Sequence, residues 1–139
     1  METDLNNISG CFAGKLFGMN IVITGCSSGI GFETVLELLK NKDNKVLGIS
    51  RNKEKLSLLE GAVNSAQLQT LSLDITQLDE HQGTLQQMLH KHLQSVDVLI
   101  NNAGLLVNKY FESFEPMEID NIIDTNFKAP AAIIKFLLP

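Results

Sequence analysis

The segment Asn20–Gly31, read N-I-V-I-T-G-C-S-S-G-I-G, constrains the fold more than any other stretch of this chain. Ile21, Val22 and Ile23 form a continuous β-branched run, as in a strand buried on both faces of a parallel sheet. Gly25, Gly29 and Gly31 follow within seven positions, and an apolar-periodic stretch follows them. A strand that passes through a glycine-rich turn into a helix is a phosphate-binding device. The first N–H groups of the helix lack intrahelical partners, its dipole turns a positive end outward, and glycines let a pyrophosphate approach the backbone. The spacing is G-x-x-x-G-x-G and not G-x-G-x-x-G. Turn glycines before helices are common in many folds, so this loop needs a second signal before it assigns anything.

The rest of the chain continues the alternation of strand and helix. A first helix is expected from about Gly29 to Asn41 with Ile30, Val35, Leu38 and Leu39 inward, followed by a polar turn through Asn44. Lys45–Ser50 reads as strand two, in which Gly48 marks close packing or ligand approach. Lys53–Glu60 reads as a short helix and Gln67–Leu73 as strand three. Gln77–Gln94 follows as a helix with Leu78, Leu85, Met88, Leu89 and Leu93 on one face. Val96–Asn101 is strand four, and a long loop carries Tyr110 and Phe111, residues suited to substrate contact, a lid or the core. Pro116 opens a last helix running towards Leu138. Strict β-α alternation predicts a doubly wound α/β fold of the Rossmann type, with a parallel sheet in order 3-2-1-4 and helices on both faces. Residues 19–139 are expected to form this domain, incomplete at its C-terminal end. Residues 1–18 read as an irregular arm, with Phe12, Leu16 and Phe17 against the base of the sheet.

Composition narrows the class. With 44% hydrophobic and 19% charged residues, 139 residues suit one folded domain. A net charge of −5 leaves no basic stripe for nucleic acid, and no apolar run approaches a membrane span. Cys11 and Cys26 make no metal-ligand spacing and read as reduced thiols of a cytoplasmic protein. Glu2 and Asp4 stand where a signal peptide would be basic, so no signal peptide is expected. His81, His90 and His92 read as surface residues, and Cys26 as small filler in the glycine loop.

The second signal is Asn101-Asn102-Ala103-Gly104 at the end of strand four. In a doubly wound sheet that position lies beside strand one, where ligands bind. A tight turn alone would also suit these residues. Paired with T-G-x-x-x-G-I-G, however, this tetrapeptide resembles the short-chain dehydrogenase/reductase family, over about Asn20 to Leu138. The resemblance implies a nicotinamide cofactor held by Thr24, Gly25, Ser27, Ser28, Gly29, Ile30 and Gly31. It implies that Asp74, with Ile75 beside it, accepts a hydrogen bond from the adenine amino group, although Asp74 also suits a helix N-cap. Asn101 corresponds to the asparagine that braces the central sheet, and Asn102, Ala103 and Gly104 line the cofactor. Asn126 corresponds to the catalytic asparagine, whose main-chain carbonyl holds a water in a proton relay. Pro130 has no N–H to give that carbonyl, so a kink is expected there, useful to the relay or merely bending the helix.

Ser50 and Arg51 bear on the cofactor. An acidic residue at the end of strand two would grip a ribose 2′-OH, whereas a serine and an arginine suit a 2′-phosphate. The pair resembles the NADP-preferring branch, the alternative being a solvated arginine. The family's chemistry also needs a serine and a Tyr-x-x-x-Lys after the asparagine. Tyr110 is the one tyrosine, it precedes Asn126, and Phe114 stands four residues on. The chain therefore reads as the cofactor-binding half of an oxidoreductase that moves hydride between NADP(H) and an alcohol/carbonyl pair, inactive by itself. A truncation or a gene fragment would explain it. A short nucleotide-binding sensor and an interaction module are the other classes open. The complete protein is expected to be a homo-oligomer. The 139 residues alone are expected to self-associate through the strand-four edge and the helix face bearing Ile133, Ile134 and Leu137.

Overall fold

Strands β1 (Asn20–Thr24), β2 (Lys45–Ser50), β3 (Leu68–Ser72) and β4 (Val98–Ile100) form one parallel sheet in the order β3-β2-β1-β4. This is the predicted order, seen in a computed structural model that describes residues 18–138. The arm at residues 1–17, with Phe12, Leu16 and Phe17, lies outside the described residues. The helices are α1 (Gly29–Leu38), α2 (Lys53–Val63), α3 (Leu78–His92), α4 (Pro116–Ile123) and α5 (Ala129–Leu137). No helix among the described residues is long and apolar enough to cross a membrane.

Strand pleating divides the core into two layers. Ile21, Ile23 and Val46 face one side and pack with Val35 of α1 and Leu56 and Leu59 of α2. Val22, Leu47 and Ile49 face the other and pack with Leu78 and Leu85 of α3 and Ile133 of α5. Gly48 proves to be a packing position, because a Cβ there would lie 2.7 Å from Cys26 Sγ. Cys26 is buried, as its filler role requires, and burial pushes its thiol up to about 11.

Local hydrogen bonding explains where element boundaries depart from the sequence reading. Helix α1 stops at Leu38 because the buried Asn44 side chain takes over the corner. Its Nδ2 donates to Leu38 O (2.9 Å) and its Oδ1 accepts the Met19 N–H (3.1 Å). Helix α2 runs on to Val63 and stops at Asn64, which adopts the left-handed conformation. A 3₁₀ turn at Ile75–Gln77 precedes α3. Strand β4 ends early because the Asn102 N–H turns back onto Ile100 O (3.1 Å), which places Asn101 at the apex of a tight turn.

Several side chains are not where periodicity put them. Ile30 points out at 80% exposure, since the first turn of α1 overhangs the strand ends and not the sheet face. Tyr110 and Phe111 lie on an exposed loop turn and take no part in the core. His92 is half-buried, its Nε2 3.2 Å from Gln67 O beside β3, and is not a plain surface residue. Ile133 is fully buried, so the apolar face of α5 loses only Ile134 and part of Leu137 to solvent. Between α4 and α5 the helix continues through a π turn at Asp124–Lys128, closed by the Ala129 N–H donating to Asp124 O. A π turn just before Pro130 stands where a kink was expected.

Candidate functional site

A cleft of about 380 Å³ opens at the carboxyl ends of all four strands. Its centre is the contact between the β1 and β4 loops, which only glycine permits. Gly25 has φ +70°, and a Cβ there would sit 2.6 Å from Ala103 Cα. At Gly31 a Cβ would meet Asn102 Nδ2 and Gly25 O, both at 2.4 Å. The loops are then tied by hydrogen bonds. The buried Thr24 Oγ1 accepts the N–H groups of Asn102 (3.2 Å) and Ala103 (3.1 Å). Asn102 Nδ2 donates to Thr24 O (3.1 Å) and Gly25 O (2.9 Å). The bracing asparagine is therefore Asn102. Asn101, which the motif suggested, is exposed at the turn apex one residue earlier. Thr24 lies behind the cleft as a clamp and is absent from its lining.

On the β1 side, Gly25, Ser27, Ser28 and Ile30 line the cleft. Ser28 is the N-cap of α1 with extended backbone, and its side chain makes no capping bond to the first turn. Gly29 (φ +58°) has nothing within 4 Å of where its Cβ would be, and Gly31 is buried beneath the loop contact. Ser50 Oγ donates to Ser27 Oγ (2.8 Å), joining the end of β2 to the glycine loop.

At the β2 and β3 ends the lining is Ile49, Ser50, Arg51, Leu73, Asp74 and Ile75. Asp74 caps the 3₁₀ turn, its Oδ1 accepting the Thr76 N–H (3.0 Å) and the Thr76 hydroxyl (2.8 Å). Its other oxygen lies 3.8 Å from Arg51 Nη1. The cap and the cleft position coexist because the carboxylate has two oxygens.

Asn102, Ala103, Gly104 and Thr125 complete the cleft on the β4 side. Asn126 follows Thr125, and its side chain is spent on the loop: Oδ1 accepts the Leu105 N–H (2.7 Å) and Nδ2 donates to Leu105 O (2.9 Å). This paired amide contact fixes the β4 loop to the π turn. Loop and helix meet again where Lys109 Nζ and Glu118 Oε2 form an ion pair. The Lys109 hydrogen bond, with the Glu115 N–H, holds the Glu118 carboxyl below its usual range.

Sequence reasoning missed Ile49, Leu73 and Thr125. Ile49 and Leu73 were legible as inward residues at strand ends. Thr125 had no signal, because helical spacing does not announce a π turn.

Residues 19–139 match the family model described as short chain dehydrogenase. An uncharacterized oxidoreductase of Staphylococcus saprophyticus is 36% identical over 119 residues, covering 86% of this chain and 48% of that protein. An NADPH-dependent pterin aldehyde reductase of Arabidopsis thaliana is 32% identical over 124 residues, covering 86% and 49%. Among solved structures, a 3-ketoacyl-(acyl-carrier-protein) reductase from Brucella melitensis complexed with NADH matches with TM-score 0.80 and 27% identity, covering 90% of this chain and 51% of that one. The chain thus spans about half the length of the relatives it matches.

Proposed function

The chain belongs to the short-chain dehydrogenase family, and on that premise we propose that its cleft binds NADP(H) in preference to NAD(H), as the cofactor-binding part of an oxidoreductase acting on an alcohol/carbonyl pair. The observation that carries the preference is the end of β2. There Ser50 and Arg51 line the cleft, at the position where a carboxylate would grip a ribose 2′-OH. A guanidinium forks onto phosphate oxygens, whereas a carboxylate would repel them.

The chain's residues divide the work. The backbone of Gly25–Gly31 and the hydroxyls of Ser27 and Ser28 would hold the pyrophosphate, at a helix N-terminus that favours negative charge. Ser50 and Arg51 would hold the 2′-phosphate, Asp74 and Ile75 the adenine, and Asn102, Ala103 and Gly104 the nicotinamide ribose. When bound, the nicotinamide supplies or accepts the hydride. Asn126 positions the β4 loop with its side chain and offers its main-chain carbonyl to a relay water, since Pro130 cannot donate to it. The 139 residues hold no Tyr-x-x-x-Lys after Asn126, so this polypeptide by itself is expected to bind cofactor without turnover. We read the complete protein as a cytoplasmic homo-oligomer.

Titration of NADPH and NADH against the wild-type chain and Arg51→Ala tests the cofactor reading. Charge-assisted hydrogen bonds to a phosphate predict about tenfold tighter NADPH binding in the wild type. In Arg51→Ala the two affinities should converge. Equal wild-type affinities would refute the preference.

A further inference from the structure

Arg51 and Asp74 stand on neighbouring strand ends, the first anchored by its main chain and the second by its carboxylate. The Arg51 carbonyl accepts the Ser72 hydroxyl (3.0 Å), and the Leu73 N–H donates to Ser50 O (3.0 Å), which carries the β2–β3 pairing past the strands. Asp74 is fixed through Oδ1 by the two bonds from Thr76. Only Oδ2 is left, and it is the oxygen 3.8 Å from Arg51 Nη1. That separation is too long for a hydrogen bond but within reach of a charge pair. Among the described residues lining the cleft, Arg51 is the one cation and Asp74 the one anion.

We infer that Asp74 tunes the discrimination between cofactors by sharing Arg51 with the 2′-phosphate. The carboxylate stands beside the guanidinium before any ligand arrives and offsets part of its field. A 2′-phosphate brings roughly −1.5 to −2 charge at neutral pH and must compete with the Asp74 charge for the same guanidinium. A ligand lacking that phosphate meets no such competition. Asp74 thereby holds the preference for a 2′-phosphate below what Arg51 alone would give. This is separate from any hydrogen bond between Asp74 and adenine, which both ligands share equally. The inference rests on the proposed role of Arg51.

The probes are adenosine 2′,5′-bisphosphate and adenosine 5′-monophosphate, titrated by calorimetry. They differ by the 2′-phosphate alone, so the adenine contribution cancels in the ratio of their affinities. Asp74→Asn and Asp74→Ser both keep an N-cap oxygen for Thr76 while removing the charge. Matching circular dichroism shows that the fold is retained. From the strength of exposed ion pairs, the ratio should rise about two- to fivefold in both variants. In an Arg51→Ala background the same substitutions should leave the ratio unchanged. A wild-type ratio favouring the bisphosphate, with no rise in either Asp74 variant, overturns this inference and leaves the cofactor reading standing. An equal rise in the Arg51→Ala background also overturns it, since the effect would then be direct repulsion. A wild-type ratio near one, unmoved by Arg51→Ala, overturns both.

Discussion

β1 and β4 are neighbours in one sheet, built from nearly the same residues, and they end in very different surroundings. Ile21, Val22 and Ile23 of β1 are 0–1% exposed, while Val98, Leu99 and Ile100 of β4 are all half-buried. β1 pairs with β2 over five residues and with β4 over three, whereas β4 pairs only with β1 among the described residues. Burial is therefore set by position in the sheet and not by composition. The cleft inherits this asymmetry. Its β1 side rests on a strand closed on both flanks, and its β4 side depends on a clamp of hydrogen bonds from Thr24, Asn102 and Asn126.

The sharpest way to break this picture is to wedge the two sides apart. Gly31→Ala puts a methyl 2.4 Å from Asn102 Nδ2 and Gly25 O. Such overpacking against backbone should cost about 3 kcal/mol or more in urea unfolding. Near wild-type stability would mean that the loops do not need their close contact.

Truncating one residue from each strand sharpens the comparison. Ile23→Ala, at a fully buried site, should cost about 3–4 kcal/mol, and Ile100→Ala about 1–2 kcal/mol. Equal losses would show that β4 is as enclosed as β1.

Cys26 offers a pH-dependent probe of the buried side. Its folded pKa, about 11, lies above the ordinary 9.0, so the protein binds this proton more tightly than the unfolded chain does. The stabilisation is fully present below pH 9 and is lost as pH rises towards 11, amounting to about 2–3 kcal/mol. Denaturant melts from pH 8 to 11 should show this decline in the wild type and lack it in Cys26→Ala. Parallel curves for the two proteins would contradict it.

The parts of this molecule legible in sequence are those where one residue type has one structural use. A β-branched run marked β1, a short apolar stretch marked β2, and two small-residue motifs marked the strand ends that meet at the cleft. Three kinds of feature escaped. Ile30 fitted the inward period of a helix, but the overhang of α1 past the sheet is a tertiary fact. Asn101 and Asn102 are the same residue type side by side, and only the turn onto Ile100 O decides which one reaches Thr24. The π turn depends on the register of the Asp124 carbonyl; Pro130 announced a break in the helix but not its form.

The claim that this cleft is a dinucleotide site is tested most directly by amide chemical-shift mapping of the ¹⁵N-labelled chain with NADP⁺. Shifts are expected to concentrate at Gly25, Ser27, Ser28, Arg51, Asp74, Ala103 and Gly104. Residues 54–62 of α2 and 80–91 of α3, away from the strand ends, should stay still. Saturable shifts centred on those helices, with the glycine loop unmoved, would contradict it.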